Sequence, residues 1–265
     1  MRHSGDIMRL VSLQVSNFRA ISSASIDLEP LTSIRRSPDA PNDVVVSKLK
    51  ISECSAALAG FHDPAKQAMS DGSFASKLHI FDADLSEGFF SKKVILVEGP
   101  SDKSILEAML TIQGRSAMAE GITILSVGGK KILDKPAFIF RALGVPTYVI
   151  VDNDNKTAKD KVAEAYYNKF LQRVLGVPTK NIIDWPAGVF EHSAAWDGNI
   201  EDYIGSTCGP DRYGKVKSQM MIDFEVDGDD CVKSPAIAAA MLTAFTAQGV
   251  KFEQLDKIIK MVDAL

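Results

Sequence analysis

Three short apolar runs, Val94 to Val97, Ile122 to Val127 and Thr147 to Val151, restrict the fold of this chain more than any other feature. Each is rich in β-branched residues, and each is followed by a turn and then by a stretch of helical period. After the first run, Gly99-Pro100 turns the chain, Ser101 or Asp102 caps a helix, and Ile105, Leu106, Met109 and Ile112 share its apolar face. After the second, Gly128-Gly129 leads to a helix over Ile132 to Leu143, with Pro136 near its start and Gly144 as its C-cap. After the third, Lys156 to Leu175 predicts a long helix. Near-continuous apolar strands alternating with helices imply an α/β fold, with right-handed crossovers and a parallel sheet covered on both faces. Ligands of such sheets sit at the carboxyl ends of the strands, where Glu98, Gly128 and Asp152 all fall.

The first and third runs end in acids. Val97 leads into Glu98-Gly99-Pro100-Ser101-Asp102, and Val151 into Asp152-Asn153-Asp154. The Gly-Pro turn folds Glu98 and Asp102 toward one point. On an extended tip Asp152 and Asp154 face the same way. Asp102 alone has a plainer reading, as an acid that complements the positive end of a helix. An Asp-x-Asp alone is often a polar loop. Two neighbouring strands that each deliver two acids to one sheet edge are a stronger signal, because clustered carboxylates repel unless divalent cations neutralise them. Gly128-Gly129-Lys130, at the end of the middle run, offers backbone amides and a cation to a phosphate, although a simple tight turn explains it nearly as well.

A chain of 265 residues has room for a buried core and for one large or two small domains. Three scattered cysteines, Cys54, Cys208 and Cys231, lack zinc-ligand spacing and read as reduced cytoplasmic thiols. There is no signal-peptide pattern and no apolar run of membrane-spanning length, so a cytoplasmic protein with no membrane partner is expected. The net charge of −4 argues mildly against binding nucleic acid through phosphate neutralisation alone. That objection weakens where acids are committed to cations.

Outside the regular middle, Leu10 to Val15 reads as a strand with Ser25 to Leu28 as its hairpin partner. Between Thr32 and Gly88, Val44 to Ile51 suggests a strand, and Glu53 to Ala59 and Pro64 to Met69 suggest helices. Ile182-Ile183 suggests a further strand. Ser234-Pro235 opens a helix running to about Thr246, and Phe252, Leu255, Ile258, Ile259 and Val262 mark the core stripe of another. His192, Trp185 and Trp196 read as packing or surface residues. Gly209-Pro210-Asp211-Arg212-Tyr213-Gly214-Lys215 has P-loop spacing, but Val216 stands where a metal-binding Ser or Thr is needed and no strand leads in. It is rejected as a nucleotide site.

The stretch ILVEGPSD, a Gly-Gly-Lys after the next strand, and VIVDND together resemble the Toprim domain of bacterial primases, type IA and II topoisomerases, recombination proteins and the OLD (overcoming lysogenization defect) nucleases. SEGFFSKKVILVEGPSDKSIL, SVGGKKIL and LGVPTYVIVDND are similar to the OLD branch in particular, over about Ser86 to Asp154. The resemblance implies a Rossmann-like Toprim sheet and a DNA endonuclease using two Mg²⁺ or Mn²⁺ ions. It assigns Glu98, Asp102, Asp152 and Asp154 to the metals, with a later Glu helping to hold the second ion. Glu201, in GNIEDYI, matches that Glu better than Glu191, and Asp202 reads as a helix-start acid. A downstream lysine that stabilises charge in the family matches Lys233.

MRLVSLQVSNFRAISSASIDLEPLT resembles the opening strands of the ABC-type ATPase domain that precedes Toprim in OLD proteins, yet no P-loop follows. An internal deletion near Pro30 is the simplest account, and ATP hydrolysis by this chain is not expected. The expected organisation is an ATPase remnant over 1–34, a linker or subdomain over 35–90, a Toprim core over 91–185 and a mostly helical nuclease region over 186–265. DNA is the expected partner, and a second copy or a full-length relative a further one. The alternative is a catalytically silent nucleic-acid-binding or regulatory fragment.

Overall fold

Two antiparallel hairpins lead the chain, β1 (Ser12–Phe18) with β2 (Ile21–Asp27) and β3 (Leu31–Arg36) with β4 (Val44–Leu49). The computed structural model describes residues 12–18, 21–27, 31–36, 44–227 and 234–265. The expected strand at Leu10 to Val15 therefore lies partly outside the described residues, as does Leu28. Helices α1 (Ile51–Gly60), α2 (Asp71–Ala75) and α3 (Ala83–Ser86) follow. Pro64 to Met69 is not helical. Lys66 donates its amide to the Ala59 carbonyl at 3.0 Å, and the Met69 carbonyl accepts from Ser55 Oγ at 2.8 Å, so the stretch is stitched back along α1.

The regular middle supplies β5 (Lys93–Val97), α4 (Pro100–Ile112), α5 (Ala117–Glu120), β6 (Ile122–Ser126), α6 (Asp134–Ala142), β7 (Thr147–Asp152) and α7 (Lys161–Val174). Pro136 is accommodated because it falls in the first turn of α6, where an amide has no helical partner to lose. The third helix starts five residues later than its apolar pattern suggests. Asp160 accepts from the amides of Val162 and Ala163 and so caps α7, while Thr157 and Ala158 donate to the Asp154 carbonyl and fold the preceding residues into a loop.

β8 (Gly188–Val189) and β9 (Ser193–Trp196) complete a five-stranded sheet of order β6-β5-β7-β9-β8, parallel except for β8. Ile182-Ile183 is not a strand. Both backbone groups of Ile183 are taken by the Gln172 side chain, at 3.1 and 2.7 Å, leaving none for a ladder. Helices α8 (Ile200–Cys208), α9 (Pro210–Asp223), α10 (Pro235–Ala247) and α11 (Glu253–Ala264) end the chain.

Alternation along the strands divides the core in two. Ile95, Val97, Ile124, Tyr148, Ile150 and Trp196 face α4, α8, α10 and α11. Val94, Leu96, Leu125, Val149, Val151 and Ala195 face α6, α7 and the segment carrying Cys54, Leu58, Phe74 and Leu85. The stretch that is hardest to read in sequence is thus part of a covering layer. Gly88 shows how tightly it sits: a Cβ there would overlap the Phe140 ring and meet Leu125 Cδ1 at 3.0 Å. Gly88→Val should cost about 1–3 kcal/mol in a urea titration. An unchanged midpoint would show that the ring moves aside freely. At the amino end of the sheet, Lys93 Nζ donates to the carbonyls of Val262 and Asp263 at 2.8 and 2.7 Å, clasping the end of α11.

Candidate metal centre

The carboxyl edge of the sheet is assembled by backbone as much as by side chains. Glu98 follows β5, and its Oε1 accepts the Asp152 amide at 2.7 Å, clamping the tip of one strand onto the next. Gly99 precedes α4 with Pro100 at the first helical position, and Asp102 Oδ2 folds back to accept the Gly99 amide at 2.9 Å. Asp102 therefore does act at a helix start, while its carboxyl also lies within the field of Glu201. Glu201 sits in the first turn of α8, whose start is fixed by Asn199 Oδ1 accepting from the Asp202 amide at 2.7 Å.

The acids perturb one another. Burial pushes the Asp152 carboxyl up to about 9, assisted by the charges of Glu98, Asp102, Asp154 and Glu201. Burial likewise pushes Glu98 up to about 7, against the Asp152 amide and Lys130, which favour its charged form. Asp102 is pushed up to about 6 by burial, with Glu201 adding to the rise. These mutual effects place Glu98, Asp102, Asp152, Asp154 and Glu201 in one neighbourhood.

Asp154 does not continue the extended tip that alternation predicts. β7 ends at Asp152, and Asp154 adopts a left-handed backbone with φ 57°. Its carboxylate is turned to Lys130, whose Nζ lies 2.8 Å from Oδ2, and Oδ1 accepts from Thr157 Oγ1 at 3.1 Å. Lys130 is buried, with 4 % of its side chain exposed, and is also 3.3 Å from Glu164. The positive φ of Gly128 and Gly129, 84° and 137°, turns the loop so that this amine points inward. The Gly128 amide is spent on the Glu98 carbonyl at 3.0 Å.

Asn153, read in sequence only as a spacer between two aspartates, is fully buried and fixes the whole edge. Its Oδ1 accepts from the amides of Asn155 and Gly198, its Nδ2 donates to the Pro186 carbonyl, and its own carbonyl accepts from Asn168 Nδ2. The Asn153 amide donates to the carbonyl of Trp196, which is buried and stacked on Tyr203 at 4.8 Å. Glu164 and Tyr167 were equally invisible in the sequence. Glu164 holds Lys130 and Lys131, and both Glu98 and Glu164 act on the buried Tyr167 hydroxyl. Only the apolar period of α7 hinted that these residues face inward.

Among the described residues no group of three or more His, Cys, Asp or Glu side chains is disposed to hold an ion as it stands. The hydrogen bonds give the reason: Glu98 and Asp102 are turned onto amides, and Asp154 onto an ammonium. The donor set itself fits a hard divalent cation. It consists of carboxylates whose shared field makes them costly to ionise together, and that cost disappears when a cation binds.

Lys233 lies outside the described residues. His192 is at the opposite end of β9, its carbonyl bonded to the Val149 amide, and its nearest acid is Glu191 at 3.7 Å. Glu191, beside it, is likewise at the end of β9 away from Trp196 and the acids. The residues with P-loop spacing open α9 from Gly209, preceded by helix α8. No described helix is long and apolar enough to cross a membrane.

Residues 89–154 match the model of the family described as overcoming lysogenization defect protein-like, TOPRIM domain. Among solved structures, the chain is similar to the C-terminal region of the Xanthomonas campestris pv. campestris OLD protein, with 16 % identity and a TM-score of 0.46 over 66 % of this chain and 96 % of that one. It is also similar to the C-terminal region of the Burkholderia pseudomallei OLD protein, with 16 % identity and a TM-score of 0.48 over 66 % and 98 %. A comparison with curated proteins gives no match. The segment that matches the OLD-like Toprim family model contains both acid-tipped strands and the Gly128-Gly129-Lys130 loop between them.

Proposed function

We propose that this chain is a divalent-cation-dependent endodeoxyribonuclease of the OLD type. The observation that carries the reading is the clamp of Glu98 on the Asp152 amide, which brings two acid-tipped strands together beside Asp102 and Glu201 at the carboxyl edge of a parallel sheet. Glu98, Asp102, Asp152 and Glu201 would hold Mg²⁺ or Mn²⁺, with Asp154 available to a second ion. Bound there, the cations supply activation of the attacking water and stabilisation of the leaving oxygen in phosphodiester hydrolysis.

The chain's own residues set the geometry. The Gly99-Pro100 turn and the first turn of α4 hold Asp102 within the field of Glu98, and Asn199 fixes the start of α8, which carries Glu201 within the field of Asp102. Lys233 would steady developing negative charge on the phosphate.

The test is supercoiled plasmid incubated with Mn²⁺ or Mg²⁺, for the wild type and for Asp152→Ala. Nicking by the wild type that stops on chelation and is absent from the variant is the expected result. Equal nicking by both proteins, or none by either, overturns the proposal. The second outcome, together with calorimetry showing no cation uptake, would favour a silent DNA-binding or regulatory fragment, a reading suggested by carboxylates already satisfied within the protein.

A further inference from the structure

We infer that Lys130 is a built-in cation that holds Asp154 in place of a second divalent ion, so that the acid cluster takes one ion readily and a second only by displacing the ammonium. This rests on the metal-centre reading above.

The two halves of the cluster differ in what already satisfies them. Glu98 and Asp102 accept from backbone amides, at 2.7 and 2.9 Å, and those donors are neutral. Asp154 is held by a full positive charge at 2.8 Å, and that charge is anchored a second time by Glu164 at 3.3 Å. Lys131 Nζ closes the set at 2.8 Å from the other oxygen of Glu164. Two carboxylates, Asp154 and Glu164, thus face two ammonium groups, Lys130 and Lys131, and this half is balanced. In the half made by Glu98, Asp102, Asp152 and Glu201, the donors to Glu98 and Asp102 are neutral amides and Lys130 acts on Glu98 only through its field, so an incoming cation gains most there.

Displacing Lys130 is the harder step. A charge-assisted hydrogen bond is roughly twice as strong as a neutral one, and an ammonium with 4 % of its side chain exposed has little water to return to. The backbone reinforces the arrangement, since Asp154 sits in a left-handed conformation with its second oxygen on Thr157. Glu164 is the place to which the displaced amine retreats. Lys130 is accordingly a positioning residue: it orients Asp154 and sets the cation concentration at which the second ion enters.

The experiment is Mn²⁺ titration of the full chain by calorimetry, with bound Mn²⁺ counted by electron paramagnetic resonance. The wild type is expected to take one ion at low concentration and a second at least tenfold more weakly. Lys130→Met is expected to tighten the second ion about tenfold or more. Glu164→Gln, a near-isosteric change that keeps the inference testable if the lysine variant folds poorly, is expected to weaken it, because Lys130 then leans on Asp154 alone. Lys131→Met removes the same charge without touching Asp154 and should shift the second ion less than threefold. Two equally tight ions in the wild type, or equal responses to Lys130→Met and Lys131→Met, would overturn the inference while leaving the metal centre standing. No uptake by any of the four proteins would overturn both.

Discussion

In buffer free of divalent cations at pH 8, Asp152→Asn is expected to melt several degrees above the wild type, although the same change is expected to lower plasmid hydrolysis by about a thousandfold or more. Both effects come from one carboxyl. Burial and four neighbouring acids push Asp152 up to about 9, with Glu98 at about 7 and Asp102 at about 6. Groups whose folded-state values lie above their ordinary ones bind protons more tightly folded than unfolded. Their contribution to stability is therefore full near pH 4 and is lost as the pH rises through the interval from about 4 to 9. An uncharged isostere at 152 removes the largest of these penalties, for a gain on the order of 2 kcal/mol at pH 8, or roughly 5 °C in Tm. Saturating Mn²⁺ should reverse the order. A ligand at a thousand times its Kd adds about 4 kcal/mol to the protein that binds it, and the variant lacks a central ligand. Scanning calorimetry of both proteins at pH 5 and pH 8, with and without Mn²⁺, checks the four differences in Tm. A variant less stable than the wild type at pH 8 without cation would remove the repulsion argument altogether.

Asn153→Ala is expected to cost about 2–4 kcal/mol in a urea titration, a large loss for a residue with no apolar surface to bury. Truncation removes the acceptor for the amides of Asn155 and Gly198 and the donor for the Pro186 carbonyl, and leaves the Gly198 amide and the Pro186 carbonyl without their partner in the interior. The damage should also reach the acids on either side. Mn²⁺ uptake by the variant should fall at least tenfold, because Asp152 and Asp154 are aimed by the same backbone that Asn153 ties to Trp196 and Gly198. Asn153→Asp preserves the acceptor but loses the donor to Pro186, and should be intermediate in stability. Uptake unchanged in Asn153→Ala would show that the strand tip holds its shape without this side chain.

The parts of the fold that were legible in sequence are those where one interaction dominates. Strands β5, β6 and β7 are buried on both faces, so their apolar runs are nearly unbroken, and the order of their acid tips follows from parallel topology. The illegible parts are those where a side chain competes with the backbone. Ile182-Ile183 has strand composition, but Gln172 takes its hydrogen bonds; Lys156 continues a helical pattern, but Asp160 starts the helix later. At the centre itself, the positions of Glu98 and Asp152 followed from strand ends. The inward turn of Lys130 and the left-handed Asp154 did not, because Lys130 is held by Glu164 of α7 and Asp154 by Lys130 and the loop before α7. A lysine after two glycines looks the same in sequence whether it reaches for solvent or for a buried carboxylate.

Lys93 stands at the amino end of β5 and grips the last turn of α11, whereas Glu98 lies just beyond the carboxyl end of the same strand. A five-residue strand separates the two by roughly 15 Å. A label, surface linkage or fused protein attached after Leu265 would therefore emerge on the side away from the acids and leave the carboxyl edge open to a long, stiff polymer. The same clasp makes the last turn of α11 a strain gauge for β5: protection of its amides against hydrogen exchange should rise and fall with the integrity of a strand whose far end carries Glu98.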